Sequence, residues 1–316
     1  MISNSNISDG ISLIIHTKNE EKNIKDCILS AKEVANEIII IDQSSSDGTV
    51  EIAKSLGATV YSIPDKGFVD DYFNFGFGKA NYKWILHFAA DERLTKSLAK
   101  KLLNITKKNE CDVVTLPFKN IRFGKWMKHT GFWPDYHPRL FKKGCMKYPG
   151  NIKQAHAAPI ISGKELILPE KEENAVIHYN ARNLEHFLAK FVKYATQEGN
   201  TNFFKKNKLT SQVLMDYFEG EFKWRYIDQK GYLDGMHGFV FSKFREYFRF
   251  VEFVNWWERE GYPEIFSKEE LLETIIGRKR SEENENFQSS KIFKLWRIYH
   301  KQKKGFLAKA KLLFNR

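Results

Sequence analysis

The sequence predicts an α/β fold, with a mostly parallel sheet flanked by helices and a helical carboxyl-terminal subdomain behind it. Three observations carry that prediction. Between residues 11 and 94, short β-branched apolar runs alternate with helix-like segments, the pattern of strands joined by right-handed helical crossovers. The run Glu37 to Asp42 is apolar on both faces, as a buried parallel strand should be. Beyond Arg182 apolar residues recur instead at every third or fourth position, the period of helices packed on one face.

Taken in order, Ile11 to His16 reads as the first strand, Thr17 to Asn23 as a polar loop, and the next segment as a helix ending near Val34. Glu37 to Asp42 is the second strand. Ser44 to Thr49 supplies capping residues ahead of a helix over Val50 to Leu56, which Gly57 ends before a third strand, Thr59 to Ile63. An irregular aromatic stretch runs to Phe77, followed by a fourth strand, Tyr82 to Phe88, with Asp91-Glu92-Arg93-Leu94 just past it. Asp112 to Phe118 is another strand, and Leu140 to Lys143, Leu166 to Leu168 and Ala175 to His178 are shorter ones. Leu184 to Tyr194 and Val240 to Val254 read as helices. Between Tyr217 and Trp257 there are 15 aromatics in 41 residues, which fits a crowded helical core or an exposed face for a lipid-like partner, the core being favoured. The expected organisation is an α/β domain over 1–180, an aromatic helical subdomain over 181–285 and a tail over 286–316.

Composition narrows the class. With 316 residues, 42% of them apolar, the chain can bury a real core and is not disordered wholesale. No stretch reaches the roughly 18 uncharged apolar residues of a spanning helix, and Met1 to Gly10 is polar rather than signal-like, so a cytoplasmic protein is expected. Cys27, Cys111 and Cys145 lie far apart without metal-ligand spacing, which suits a reducing compartment. The net charge of +12 is concentrated at one end: residues 286–316 hold nine Lys or Arg and no acid, leaving the body with 42 basic and 39 acidic residues. A balanced body of this kind is not a nucleic-acid binder. In the tail Ile292, Leu295, Trp296, Tyr299, Phe306, Ala310 and Leu313 fall at helical spacing among lysines and arginines. Such a helix can lie on an anionic membrane surface or pack its apolar stripe on the body.

The loops after Asp42 and after Phe88 face one edge of the sheet, the carboxyl ends of its strands, where open α/β sheets bind ligands. A carboxylate there can accept hydrogen bonds from a base or ribose, and a neighbouring acid can hold a hard divalent cation on phosphate oxygens. Asp47 can equally cap a helix, and Asp91 and Glu92 can favour the start of one.

Specific residues sharpen this. Ser12-Leu-Ile-Ile-His-Thr17-Lys-Asn19-Glu20, Ile39-Ile-Ile-Asp42-Gln-Ser-Ser-Ser-Asp47-Gly48-Thr49 and Trp84-Ile-Leu-His-Phe-Ala-Ala-Asp91-Glu92-Arg93 resemble, in order, the nucleotide and metal segments of family 2 glycosyltransferases of the GT-A fold. Gly131-Phe-Trp-Pro-Asp135-Tyr-His-Pro-Arg139-Leu140-Phe141 and Asp234-Gly235-Met-His-Gly238 are similar to segments of the subgroup that adds glucose to lipopolysaccharide inner-core heptose. The resemblance implies that Thr17, Glu20 and Asp42 hold the nucleoside of a UDP-sugar. It implies that Asp91, with His178, binds Mg²⁺ or Mn²⁺, and that Arg139 meets a donor phosphate. It further implies an inverting hexose transfer, of glucose, to a lipopolysaccharide or lipid-linked saccharide at the inner face of the cell membrane.

The chain departs from that pattern at three places. Ala89-Ala90-Asp91 stands where the family has Asp-Ala-Asp, Phe73 replaces a basic residue, and His156-Ala157 replaces a His-Glu pair whose glutamate is the candidate base. An inverting transfer needs a base on the acceptor hydroxyl, so the role passes to Asp135, with His156 behind it. The alternative is a non-catalytic relative that still binds a nucleotide sugar or a glycan.

Overall fold

The computed structural model describes residues 8–65, 72–149, 158–181, 183–198 and 201–274. His156, Ala157 and the basic tail lie outside them.

The α/β expectation holds. β1 (Ser8–Thr17), β2 (Glu37–Asp42), β3 (Thr59–Ser62) and β4 (Tyr82–Ala89) form the parallel half of one sheet. β5 (Glu92–Arg93), β6 (Val113–Arg122), β7 (Lys125–Trp126), β8 (Tyr136–Lys142), β11 (Glu165–Ile167) and β12 (Val176–Ala181) complete it. The order is β3-β2-β1-β4-β8-β6-β12-β5, with β7 and β11 also paired to β6. β8 enters antiparallel between β4 and β6, and β5 runs antiparallel to β12, so the second half of the sheet is mixed. β9 (Met146–Lys147) and β10 (Ile160–Ile161) form a separate ribbon.

Alternation along the strands divides the core. Leu13, Ile15, Ile40, Leu86, Phe88 and Leu116 face α1 (Ile24–Ala31), α2 (Thr49–Ser55) and α4 (Lys96–Lys108). Ile14, Ile39, Ile41 and Ile85 face the other way, onto Phe77 of α3 (Phe73–Lys79). That helix corrects the reading of an irregular stretch: its rings fall at Phe73 and Phe77, one turn apart, and pack on the sheet. β6 likewise runs four residues past Phe118, and the extension carries Asn120 and Arg122.

The helical region comprises α5 (Leu184–Glu198), α6 (Thr201–Lys206), α7 (Ser211–Lys223) and α8 (Met236–Arg259). The aromatics do build a core: Phe187, Phe191, Phe241 and Phe248 form one cluster, and Phe204, Phe218 and Trp256 another. The same stretch also leaves Ile227, Tyr232, Leu233 and Met236 exposed. Asp234 fastens the region to the sheet domain. Its buried carboxylate accepts from the backbone N–H of His129 (2.8 Å) and of Lys128 (3.3 Å), and it contacts His129 Nδ1 at 3.1 Å. Gly231 and Gly238 meet so closely there that a Cβ on Gly238 would stand 1.8 Å from the Gly231 carbonyl oxygen. No helix among the described residues is long and apolar enough to cross a membrane.

Candidate active site

Thr17 and Asp42 end β1 and β2 as register partners, and both are buried. The Asp42 carboxylate accepts from the Ser45 hydroxyl (2.5 Å) and backbone N–H (3.1 Å), which curls the chain into the next loop. The two loops are then laced together. Asn19 N–H donates to Ser45 Oγ (2.8 Å), Asn19 Oδ1 accepts from Ser46 N–H (2.8 Å), Glu21 N–H donates to Asp47 (3.1 Å) and Glu20 N–H to Thr49 Oγ1 (2.8 Å). Glu20 itself accepts from the Asn23 amide at 2.6 Å. Asp47 is therefore a loop clamp, and hydrogen bonds from Thr49 and Glu21 outweigh its slight burial and hold its carboxyl below the usual range. The Thr17 hydroxyl stands apart: it is buried and has no hydrogen-bond partner among the described residues, an unmet capacity beside Asp42.

Asp91 lies just past β4 and is 5% exposed. Its Oδ2 accepts from Lys190 Nζ at 2.9 Å and faces His178 Nε2 at 3.6 Å. Burial alone would push this carboxyl up, but Lys190 and His178 reverse that and hold it well below the carboxylate range. His178 belongs to β12, and its Nδ1 is 2.7 Å from Asn120 Oδ1. The other end of the Asn120 amide donates to Asp135 Oδ2 at 2.8 Å. That contact fixes the amide's orientation, because a carboxylate can only accept. Hence Asn120 Oδ1 accepts a hydrogen bond from His178 Nδ1, and the ring's Nε2 faces Asp91. Asp91 Oδ2 and His178 Nε2, 3.6 Å apart, are placed to share a cation, and an Nδ1–H held by an amide oxygen is the usual outer contact of a metal-ligating histidine. The donor set of one carboxylate and one imidazole thus fits a divalent ion that takes its remaining oxygens from phosphates and water. No cluster of three or more such side chains occurs among the described residues.

Asp135 Oδ1 lies 3.0 Å from His137 Nε2, and the pair is partly open to solvent. Burial works against the Asp135 charge, but His137 and the Asn120 amide overcome it, so the carboxyl sits below its ordinary range and is ionised at neutral pH. One continuous path therefore runs Asp91, His178, Asn120, Asp135, His137. Sequence reasoning found Asp91, His178 and Asp135 and missed Asn120, His137 and Lys190. His137 could have been found, being two residues from Asp135. Lys190, 99 residues from Asp91, offered no local signal.

Arg139 is placed differently from the phosphate contact expected of it. Its planar fork closes on buried Glu92, Nε to Oε2 at 3.0 Å and Nη2 to Oε1 at 2.8 Å, with the guanidinium over the Phe118 ring. A bidentate pair of this kind fixes β8 against β5. Phe73 contributes to a ring cluster with His16, His87 and Tyr148, centroids 4.5–4.7 Å away.

Comparison with known proteins agrees with this architecture. The glycosyl transferase family 2 model matches residues 12–161. A glycosyltransferase of Rickettsia bellii is 27% identical over 253 residues, covering 76% of this chain and 84% of its own. One of Rickettsia conorii is 25% identical over 260 residues, 78% and 90% of the two chains. The solved structure of S. aureus TarS residues 1–349 overlaps 80% of this chain and 92% of its own at 14% identity and a TM-score of 0.41. Residues 12–161 are a family 2 glycosyltransferase domain, and the chain is a glycosyltransferase.

Proposed function

We propose that the protein is an inverting transferase that moves a hexose, glucose, from a UDP-sugar to a saccharide of a lipopolysaccharide-type or lipid-linked glycan. The path from Asp91 through His178 and Asn120 to Asp135 carries this reading, because it joins a cation site for the donor to a base for the acceptor through a single amide.

Thr17, Glu20 and Asp42 hold the nucleoside, with the unpartnered Thr17 hydroxyl supplying a hydrogen bond. Asp91 and His178 are the residues that would hold Mg²⁺ or Mn²⁺, and the ion would supply positive charge against that of a nucleoside diphosphate leaving group. Lys190, 2.9 Å from Asp91, supplies a positive charge beside that site for a donor phosphate. Asp135 accepts the proton of the acceptor hydroxyl as its oxygen attacks the anomeric carbon on the face opposite the diphosphate. His137 and Asn120 orient that carboxylate, and Arg139 holds Glu92 in place. His156 is assigned no step. The acceptor reading is supported by the exposed Ile227, Tyr232, Leu233 and Met236, which suit a lipid-bearing substrate, and by the basic tail, which suits an anionic inner leaflet.

The test is UDP release from a panel of UDP-sugars with Mn²⁺, with and without EDTA, in the wild type and Asp91→Ala. EDTA-sensitive release lost in the variant is expected. The non-catalytic alternative is favoured by Ala89 and by the Lys190 contact, which already satisfies Asp91. Donor binding in calorimetry without any release in the presence of acceptor glycans would establish it.

A further inference from the structure

Four arginines meet where the end of β6 and the loop around Thr130 abut α7 and α8. Glu221 answers three of them: Arg225 Nε at 2.6 Å, Arg245 Nε at 3.3 Å and Arg249 Nη2 at 3.1 Å. Arg249 also pairs with Glu252 at 2.9 Å, and Arg225 donates to the Thr130 carbonyl at 2.7 Å. Arg122 is the exception. It is 7% exposed, no group among the described residues accepts a hydrogen bond from it, and its Nε is completely buried. Its guanidinium lies 4.5 Å from the Phe132 ring and 4.7 Å from that of Phe241, the same rings that Arg225 covers at 5.4 and 5.6 Å.

Two guanidinium groups therefore share one aromatic box, and the four cations of the junction face two carboxylates. Ring faces attract a cation but do not satisfy its N–H donors. A buried, unpaired charge is costly to a fold unless something supplies the missing partner. Burial, then the nearby charges of Arg245 and Arg225, push the Arg122 guanidinium down to about 9, against the pull of Asp135 and Asp91. The position is informative too. Arg122 is two residues beyond Asn120 on the same face of β6, next to the Asp135 end of the path. β6 stands three strands from β1 in the sheet, roughly 14 Å from the nucleoside loops at normal strand spacing.

We propose that Arg122, with Arg225, forms a subsite for a phosphate group carried by the acceptor, which it anchors beside the Asp135 carboxylate. The proposal rests on the glycosyltransferase reading above and narrows its acceptor to a phosphorylated one. A phosphate presents several oxygens to planar forks that already stand over common rings, so it meets the free donors of Arg122 without displacing Arg225 from Glu221.

The experiment is calorimetry of the full chain with inorganic phosphate, alone and with saturating UDP and Mn²⁺, repeated on Arg122→Gln and Arg122→Lys. Thermal melting is followed in phosphate-free buffer and with phosphate. The expected result is one saturable site per chain, unaffected by UDP, at least 10-fold weaker in Arg122→Gln and partly recovered in Arg122→Lys. In phosphate-free buffer Arg122→Gln is expected to melt no lower than the wild type, and phosphate raises the melting temperature of the wild type only. Absence of saturable binding, displacement of phosphate by UDP, or equal affinity in Arg122→Gln overturns the proposal. So does an Arg122→Gln protein that melts far lower or does not fold, which makes the arginine a packing residue. Failure of the wild type to bind UDP counts instead against the donor site and leaves the phosphate measurement standing.

Discussion

The edge proposed to hold the nucleoside and the side proposed to hold the cation and the acceptor are built on opposite plans. Around β1 and β2, two short loops in the first 50 residues hold each other by hydrogen bonds between residues 26–29 positions apart, each loop carrying its own motif. On the other side, Asp135, His178 and Lys190 come from the loop just before β8, from β12 and from α5, joined by contacts spanning 15, 58 and 99 positions. In the proposed reading the nucleoside is met by loops that hold each other locally, whereas the cation and the acceptor are met by side chains that only the folded sheet assembles.

The largest expected effect falls on the acceptor side. Asp135→Asn should lower transfer to an acceptor about 10²- to 10⁴-fold, the loss of a general base, with little change in the apparent KM for donor. Near-normal turnover in steady-state assays would remove Asp135 from the mechanism. Next, Asp91→Ala should reduce Mn²⁺-dependent UDP release by about 10²- to 10³-fold, as when one preorganised contact to developing charge is deleted. Together these two variants separate the sides by kcat and by metal dependence.

Asn120→Ala sharpens the comparison, since it cuts the single amide that joins the two. It should cost roughly 10–100-fold in Mn²⁺ affinity or activity, the usual effect of removing the outer partner of a ligating histidine. Affinity and activity both unchanged would show that the path is a coincidence of packing.

The remaining two predictions concern stability. Arg139→Met leaves buried Glu92 alone and should cost about 3–5 kcal/mol, while the double change with Glu92→Gln should recover much of that, read by denaturant titration. His16 is buried with an unpartnered Nδ1, and burial lowers it from the ordinary value of 6.5 to about 4 despite its contact with the Tyr72 carbonyl. The folded state thus resists its protonation. Stability is full above pH 6.5 and declines as pH falls toward 4, by up to roughly 3 kcal/mol from this residue. A His16→Phe variant should flatten that part of the stability profile, and an unchanged acid slope would assign it elsewhere.

The same contrast governs what could be read in advance. Continuous β-branched runs and the period-3.6 apolar pattern made strands β1 to β4 and helices α5 and α8 legible, because burial on two faces or on one stripe leaves its mark in a few consecutive residues. Thr17, Asp42 and Asp91 were legible because strand ends of a parallel sheet converge on one edge. The helix at Phe73–Lys79 was obscured by two glycines, and the Arg139 fork by its partner 47 residues away. Asn120 was invisible for a different reason: an asparagine in a strand says nothing until both ends of its amide have found acceptor and donor.

The proposed function depends most directly on a cation held between Asp91 and His178. The decisive measurement is calorimetric binding of UDP with and without Mn²⁺ to the wild type, Asp91→Ala and His178→Ala. The account predicts that Mn²⁺ tightens UDP binding in the wild type and that both variants lose this gain while keeping the weaker metal-free binding. UDP affinity that ignores Mn²⁺ in the wild type, or a gain that survives in both variants, would contradict it.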